Sequence, residues 1–131
     1  MIVVLDASAA IEIVLKRENA HLYVDQLLES EAVIAPDIYL SEVANAAWKH
    51  FNHANYTHEQ TLEFALDSTN LIDQFVPVKE LWIEALRESI CYNHPVYDSL
   101  YAVCARRNDG ILLTQDKRLQ ILCESLHVKC M

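Results

Sequence analysis

The sequence predicts a three-layer α/β/α fold with a central parallel sheet of about four to five short strands. Short unbroken apolar runs recur at Ile2–Leu5, 32–35 and Ile111–Leu113, and a run without polar alternation suits a strand buried on both faces. Between them lie longer stretches with helical signals, and strands alternating with helices imply a parallel sheet covered on both sides. Asp6 and Asp116 each follow an apolar run closely. In open sheets of this kind ligands sit beyond the carboxyl ends of the strands, so two carboxylates are expected at the functional edge. The 131 residues are expected to form one domain, 1–131, with no room for a second.

The first strand ends at Asp6-Ala7-Ser8, and a helix is expected over 9–16. A second helix is expected over 19–29, with Leu22, Leu27 and Leu28 among its apolar positions. The second strand, 32–35, is closed by Pro36, and Asp37 sits where it can cap a helix running to about Phe51. Thr57 opens another long helix, because Gln60 three residues on completes a capping-box pattern. That helix is expected to reach about Phe75. Val76-Pro77-Val78 reads as a short extended piece, and 80–90 as a helix. Pro95 precedes a helix from about Val96 to Asn108, and Gly110 sits where a helix stop is expected. A helix over 117–125 and a last short strand over 128–130 complete the chain, which has no repeat, linker or low-complexity segment.

Composition excludes several functions. The 53% hydrophobic and 22% charged residues describe a globular chain. A single glycine, Gly110, excludes a P-loop and a dinucleotide fingerprint, both of which need several. The net charge of −9 runs against sequence-independent nucleic-acid binding, unless several acids surround bound cations. Cys91, Cys104, Cys123 and Cys130 form no C-x-x-C pair or zinc spacing and read as reduced thiols of a cytoplasmic protein. The apolar start carries Asp6 and Glu12 without a basic leader, so it reads as strand and helix and not as a signal peptide. No segment reaches the ~18 apolar residues of a membrane span.

Four acids stand out: Asp6 at a strand end, Glu42 early in a helix with Asn45 one turn on, Asp98 in the first turn after Pro95, and Asp116 after a strand. Taken singly, Asp6, Asp98 and Asp116 are explained as helix caps or as partners of a helix dipole, and Glu42 as a solvated helix residue. Its neighbours Val43, Ala44, Ala46 and Ala47 instead suggest a mostly buried helix, where a carboxylate is costly unless paired, protonated or bound to metal.

Taken together, V-L-D-A-S, P-D-I-Y-L-S-E-V-A-N-A, Y-D-S-L-Y-A-V-C-A and G-I-L-L-T-Q-D-K-R-L resemble, in order and spacing, the PIN-domain family, especially the VapC-like toxins of toxin–antitoxin pairs. The resemblance covers the whole chain and implies a PIN-like fold. It implies that Asp6, Glu42, Asp98 and Asp116 are catalytic, metal-binding acids, and that Ser8, Asn45 and Thr114 are the polar residues supporting them. It further implies cleavage of RNA with Mg2+ or Mn2+, a cognate antitoxin protein as partner, and a homodimer. Hard oxygen ligands suit those ions, and a metal-activated water would hydrolyse the phosphodiester without a covalent nucleophile. The acidic net charge is the departure from what an RNA enzyme would carry.

Lys16, Arg17, Lys49, Arg106, Arg107, Lys117 and Arg118 are the candidates for holding RNA, against the plainer reading of a solvated helix face. Tyr97 and Tyr101 flank Asp98 and suit base stacking or core packing. His50 and His53 read as ordinary surface, and Cys104 as inert core. Asp6-Ala7-Ser8 lacks the second acid of dehalogenase-like phosphatases, and the paired acids and lysine of receiver domains are absent. The other function class is a non-catalytic PIN-like binding or scaffold module, against which the intact set of four acids argues.

Overall fold

The computed structural model describes residues 1–131. Strands β1 (Ile2–Leu5), β2 (Ala32–Pro36), β3 (Gln74–Val76) and β4 (Ile111–Leu113) lie in the order β3-β2-β1-β4, and every pairing is parallel. Alternate residues of a strand face opposite ways, which divides the apolar runs between two cores. Val4, Ile34 and Leu112 pack with α5 (Trp82–Tyr92), α6 (Val96–Arg107) and α7 (Lys117–Ser125). Val3, Leu5, Val33, Ala35 and Leu113 pack with α1 (Ala7–Val14), α2 (Ala20–Glu29) and α3 (Ile38–His53), and α4 (His58–Thr69) adds Ala65 from outside. No helix is long and apolar enough to cross a membrane.

The chain builds β1, β2 and β3 outward in one direction and then returns to set β4 on the other side of β1. The carboxyl ends of β1 and β4 therefore flank the point where strand order reverses, the usual ligand crevice of an open parallel sheet. Asp6 N–H donates to the Leu113 carbonyl at 3.0 Å and closes this seam.

Several elements differ from expectation. The Thr57–Gln60 capping box forms, with reciprocal bonds of 2.9 and 3.1 Å. Its helix stops at Thr69, however, and Phe75 lies in β3. Ser68 and Thr69 turn their hydroxyls back onto the Phe64 and Ala65 carbonyls, a bond that competes with helix continuation. Asp73 then accepts from Val33 N–H at 2.7 Å and draws the chain into the sheet. Asp37 makes no side-chain cap; it accepts from Val78 N–H at 3.0 Å and secures the exit from β3. On α2, Leu22 and Leu28 are exposed and Tyr23 is the buried residue. α3 is only half covered: Tyr39, Val43 and Ala47 are buried, while Leu40 and Trp48 face outward. Trp48 and Phe51 line an apolar groove of about 400 Å³ with Leu62 of α4. The expected last strand shrinks to one parallel bridge, Leu112 to Cys130.

The stop after α6 also differs in detail. Asp109, and not Gly110, takes the left-handed conformation, at φ 47°. Asp109 N–H reaches the Arg106 carbonyl at 3.3 Å and Gly110 N–H the Ala105 carbonyl at 2.9 Å, the paired bonds of a Schellman ending. Gly110 is required for a different reason: a Cβ there would stand 3.0 Å from the Ile2 carbonyl oxygen of β1. Gly110→Val is therefore expected to lower unfolding free energy by roughly 1–3 kcal/mol, the range for overpacking, with Gly110→Ala smaller. Urea titration of both variants checks this, and a parent-like midpoint for Gly110→Val would show that β1 yields at no cost.

Candidate active site

The site is built on Asp6. Its Oδ2 accepts from Ser8 Oγ at 2.7 Å and from Thr114 Oγ1 at 2.5 Å. The Ser8 and Thr114 hydroxyls lie 3.2 Å apart. Ser8 Oγ also accepts from Gln115 N–H at 3.0 Å, and Thr114 Oγ1 from Asp116 N–H at 3.0 Å. The first turn of α1 and the loop after β4 are thus stitched together through one carboxylate. Burial raises the Asp6 pKa, opposed by the two hydroxyl bonds, and nearby Asp116 raises it further. Ser8 and Thr114, which the resemblance names as supporting residues, are both hydrogen-bonded to Asp6.

Glu42 stands on the second turn of α3. Its partner is Tyr101 of α6, whose hydroxyl donates to Oε1 at 2.5 Å. Tyr101 is fully buried, so its position in Y-D-S-L-Y serves the core and Glu42, not base stacking. Burial pushes Glu42 up to about 7, against the Tyr101 hydrogen bond, and the Asp6 and Asp98 charges add to the rise. Asn45 is exposed and takes no part in holding Glu42.

Asp98 is half-buried on the first turn of α6. Burial and then the charges of Asp116 and Asp6 raise its pKa, while Arg118 and His94 pull it down. Asp116 has a divided role: it caps α7, accepting from Arg118 N–H at 2.9 Å through Oδ1. The four acids feel one another's charge, yet no three His, Cys, Asp or Glu side chains stand close enough to grip an ion unaided. The donor set nonetheless suits a hard divalent cation: all its donors are carboxylate oxygens, and burial first, then the neighbouring acids' charges, raise Asp6, Glu42 and Asp98; the repulsive part is what a cation would relieve.

The remaining expected residues divide clearly. Arg106 and Arg107 are engaged with Glu84 of α5, at 2.5 and 2.6 Å, and tie that helix to α6. They are ion-paired instead of free for RNA. Lys117 and Arg118 are exposed beside Asp116, and Tyr97 is 63% exposed beside Asp98. His50 packs against Tyr56 and Phe64. Cys104 is buried, with its thiol pushed up to about 12, as suits an inert core residue. Tyr23, Gln115 and Gln120 were not expected. Tyr23 Oη donates to the Thr114 carbonyl at 3.1 Å, Gln115 Nε2 to Tyr23 Oη at 2.6 Å, and Gln120 Nε2 to the Thr114 carbonyl at 3.0 Å. No spacing in the sequence signals these contacts, since Tyr23 and Thr114 are 91 positions apart.

Residues 3–124 match the PIN domain family. No curated protein matches the chain. Among solved structures, PAE2754 from Pyrobaculum aerophilum is similar at a TM-score of 0.72 and 20% identity, over 92% of this chain and 78% of that one. VapBC2 from Rickettsia felis, bound to a DNA fragment from its promoter, contains a chain similar at 0.70 and 14% identity, over 100% and 98%. FitAcB from Neisseria gonorrhoeae gives 0.64 and 15%, over 98% and 96%.

The raised Glu42 pKa sets a pH dependence. Folded Glu42 titrates near 7 and the ordinary carboxyl near 4.5, so between these values the folded state holds the extra proton and stability falls as pH rises. In chelator-containing buffer, Glu42→Gln should melt near the parent at about pH 4.5 and increasingly above it towards pH 7 and beyond. Thermal melts of the two proteins across that range, with a constant difference at every pH, would contradict a raised Glu42.

Proposed function

The chain belongs to the PIN-domain family, and from that premise we propose that it is a Mg2+- or Mn2+-dependent endoribonuclease and the toxin of a toxin–antitoxin pair. PIN domains are generally nucleases that use divalent ions. The observation that carries the proposal is Asp6, buried at the seam of β1 and β4 under two hydroxyl donors, with Glu42, Asp98 and Asp116 within its electrostatic reach.

In this reading Asp6, Glu42, Asp98 and Asp116 hold the ion. When bound, it supplies a Lewis acid that offsets charge on the phosphodiester and activates a water for attack. The chain's own residues orient that chemistry. Ser8 and Thr114 fix the rotamer of Asp6 through its Oδ2. Tyr101 fixes Glu42, and Asp98 carries a carboxylate with no hydrogen-bonding group raising or lowering its pKa. Lys117 and Arg118 are the exposed cations next to the array and serve the phosphate backbone of RNA. In this reading four of the nineteen acids belong to the array that the ion would offset, which accounts for part of the net charge of −9.

The same reading supplies the partners. The acidic array suits an inserted Arg or Lys of an antitoxin, which would take the place of the ion and silence the site. The solved relative in the VapBC2 complex supports a partner protein of this kind, and a homodimer in the cytoplasm completes the proposal.

Asp98→Asn is expected to lower metal-dependent cleavage of single-stranded RNA by roughly 100-fold or more, as losing a few kcal/mol of charge stabilisation would, with the fold intact by circular dichroism. Equal activity in variant and parent would remove Asp98 from the site. A melting temperature that rises with added manganese in the parent, and not in Asp6→Ala, separates a metal site from a scaffold that keeps the acids as helix caps.

A further inference from the structure

Two cysteines outside the acid array are brought together by the ending of α7. His127 takes the left-handed conformation at φ 56°. Its N–H reaches the Glu124 carbonyl at 3.2 Å, and Val128 N–H reaches the Cys123 carbonyl at 2.9 Å. This Schellman reversal turns the chain back along β4, where Cys130 bridges Leu112 in parallel register. Val128 and Cys130 are two residues apart on extended backbone and share a face, while Lys129 between them is exposed. That face lies against the core that contains Cys123, so Cys130 packs on the same cluster as Cys123.

From this geometry we propose that Cys123 and Cys130 form a redox-active dithiol that a small-molecule disulfide converts to an intramolecular disulfide between α7 and segment 128–131. Cys130 is the attacking thiol, because it is part-exposed while Cys123 is fully buried. The contact with Cys123 also lowers the Cys130 pKa and raises that of Cys123. The Cys130 thiolate attacks one sulfur of the small disulfide, whose S–S bond breaks and releases one thiol. The resulting mixed disulfide at Cys130 is attacked by Cys123 Sγ, which gives up its proton to the second departing thiolate. Two protein thiols lose two electrons in all, and one small disulfide is reduced to two thiols.

The segment so tied is not a passive one. Leu112 N–H donates to the Lys129 carbonyl at 2.9 Å, and Thr114 N–H to the Met131 carbonyl at 2.9 Å. Thr114 is the residue that holds Asp6, so the disulfide anchors the edge on which that hydroxyl is mounted. Disulfides in cytoplasmic proteins are typically transient or redox-sensing, and this pair closes a loop of only eight residues counting both cysteines. The inference holds whether or not the acids bind metal.

The test uses the folded protein and oxidised glutathione. The intact mass should fall by two hydrogens for the pair, and digestion with trypsin, which cuts at Lys129 between the cysteines, should leave the two peptides joined until a reductant is added. The melting temperature should rise by roughly 5–10 °C on oxidation and return on reduction. Cys130→Ala should show neither change while melting like the reduced parent, and Cys91→Ala, which removes the exposed thiol, should keep both. Oxidation that halts at a glutathione adduct on Cys130, or that joins two chains instead of two elements of one chain, would overturn the proposal.

Discussion

The two hydroxyl bonds to Asp6 Oδ2 are the interaction on which the site depends. They come from elements that are far apart in sequence: Ser8 begins α1 and Thr114 follows β4. A carboxylate at the end of a central strand is costly to bury without donors. Here the donors are themselves fixed, because Thr114 is gripped through its amide, its carbonyl and its hydroxyl by Met131, Tyr23, Gln120 and Asp116. The seam between β1 and β4 is therefore both a structural junction and the mounting of a charged group. Displacing either strand end would change the carboxylate's direction before it changed the apolar core.

Around that fixed point the other acids are held with graded freedom. Glu42 is tethered by one buried phenol, Asp116 is partly engaged in capping its own helix, and Asp98 is the least restrained. Asp6 is thus the fixed member of the array, and the others are tied by fewer side-chain bonds. Burial is the leading cause of the raised pKa at Asp6, Glu42 and Asp98, with like-charge neighbours adding to it.

How much of this was legible depended on sequence distance. Asp6 and Asp116 lie within a few residues of two apolar runs, so the rule that ligands sit at strand ends points to them, whereas Ser8 and Thr114 were implied only by the family resemblance. The two-core division of Val3, Val4 and Leu5 follows from strand periodicity alone. Tyr101 and Glu42 are 59 positions apart, and nothing local distinguishes a tyrosine that packs in the core from one that also holds a carboxylate. β3 was hidden because its entry depends on Asp73 reaching Val33, a contact between strands and not a property of the Thr57 helix that precedes it. Asn45 shows the converse: helical spacing puts it on the Glu42 face, but the hydrogen bond that Glu42 accepts comes from Tyr101 of the facing helix.

The left-handed turns carry a consequence for the unfolded chain. Lys16, Asn55, Asn93, Asp109 and His127 all adopt positive φ, and none of these positions is glycine. Each such residue stores strain on the order of 1 kcal/mol in the native state. A glycine in its place would relieve that strain but would widen the range of conformations open before folding. With one glycine in the entire sequence, the protein accepts tension at five bends and starts from a narrower denatured ensemble, so part of its stability resides in what the unfolded chain is unable to explore.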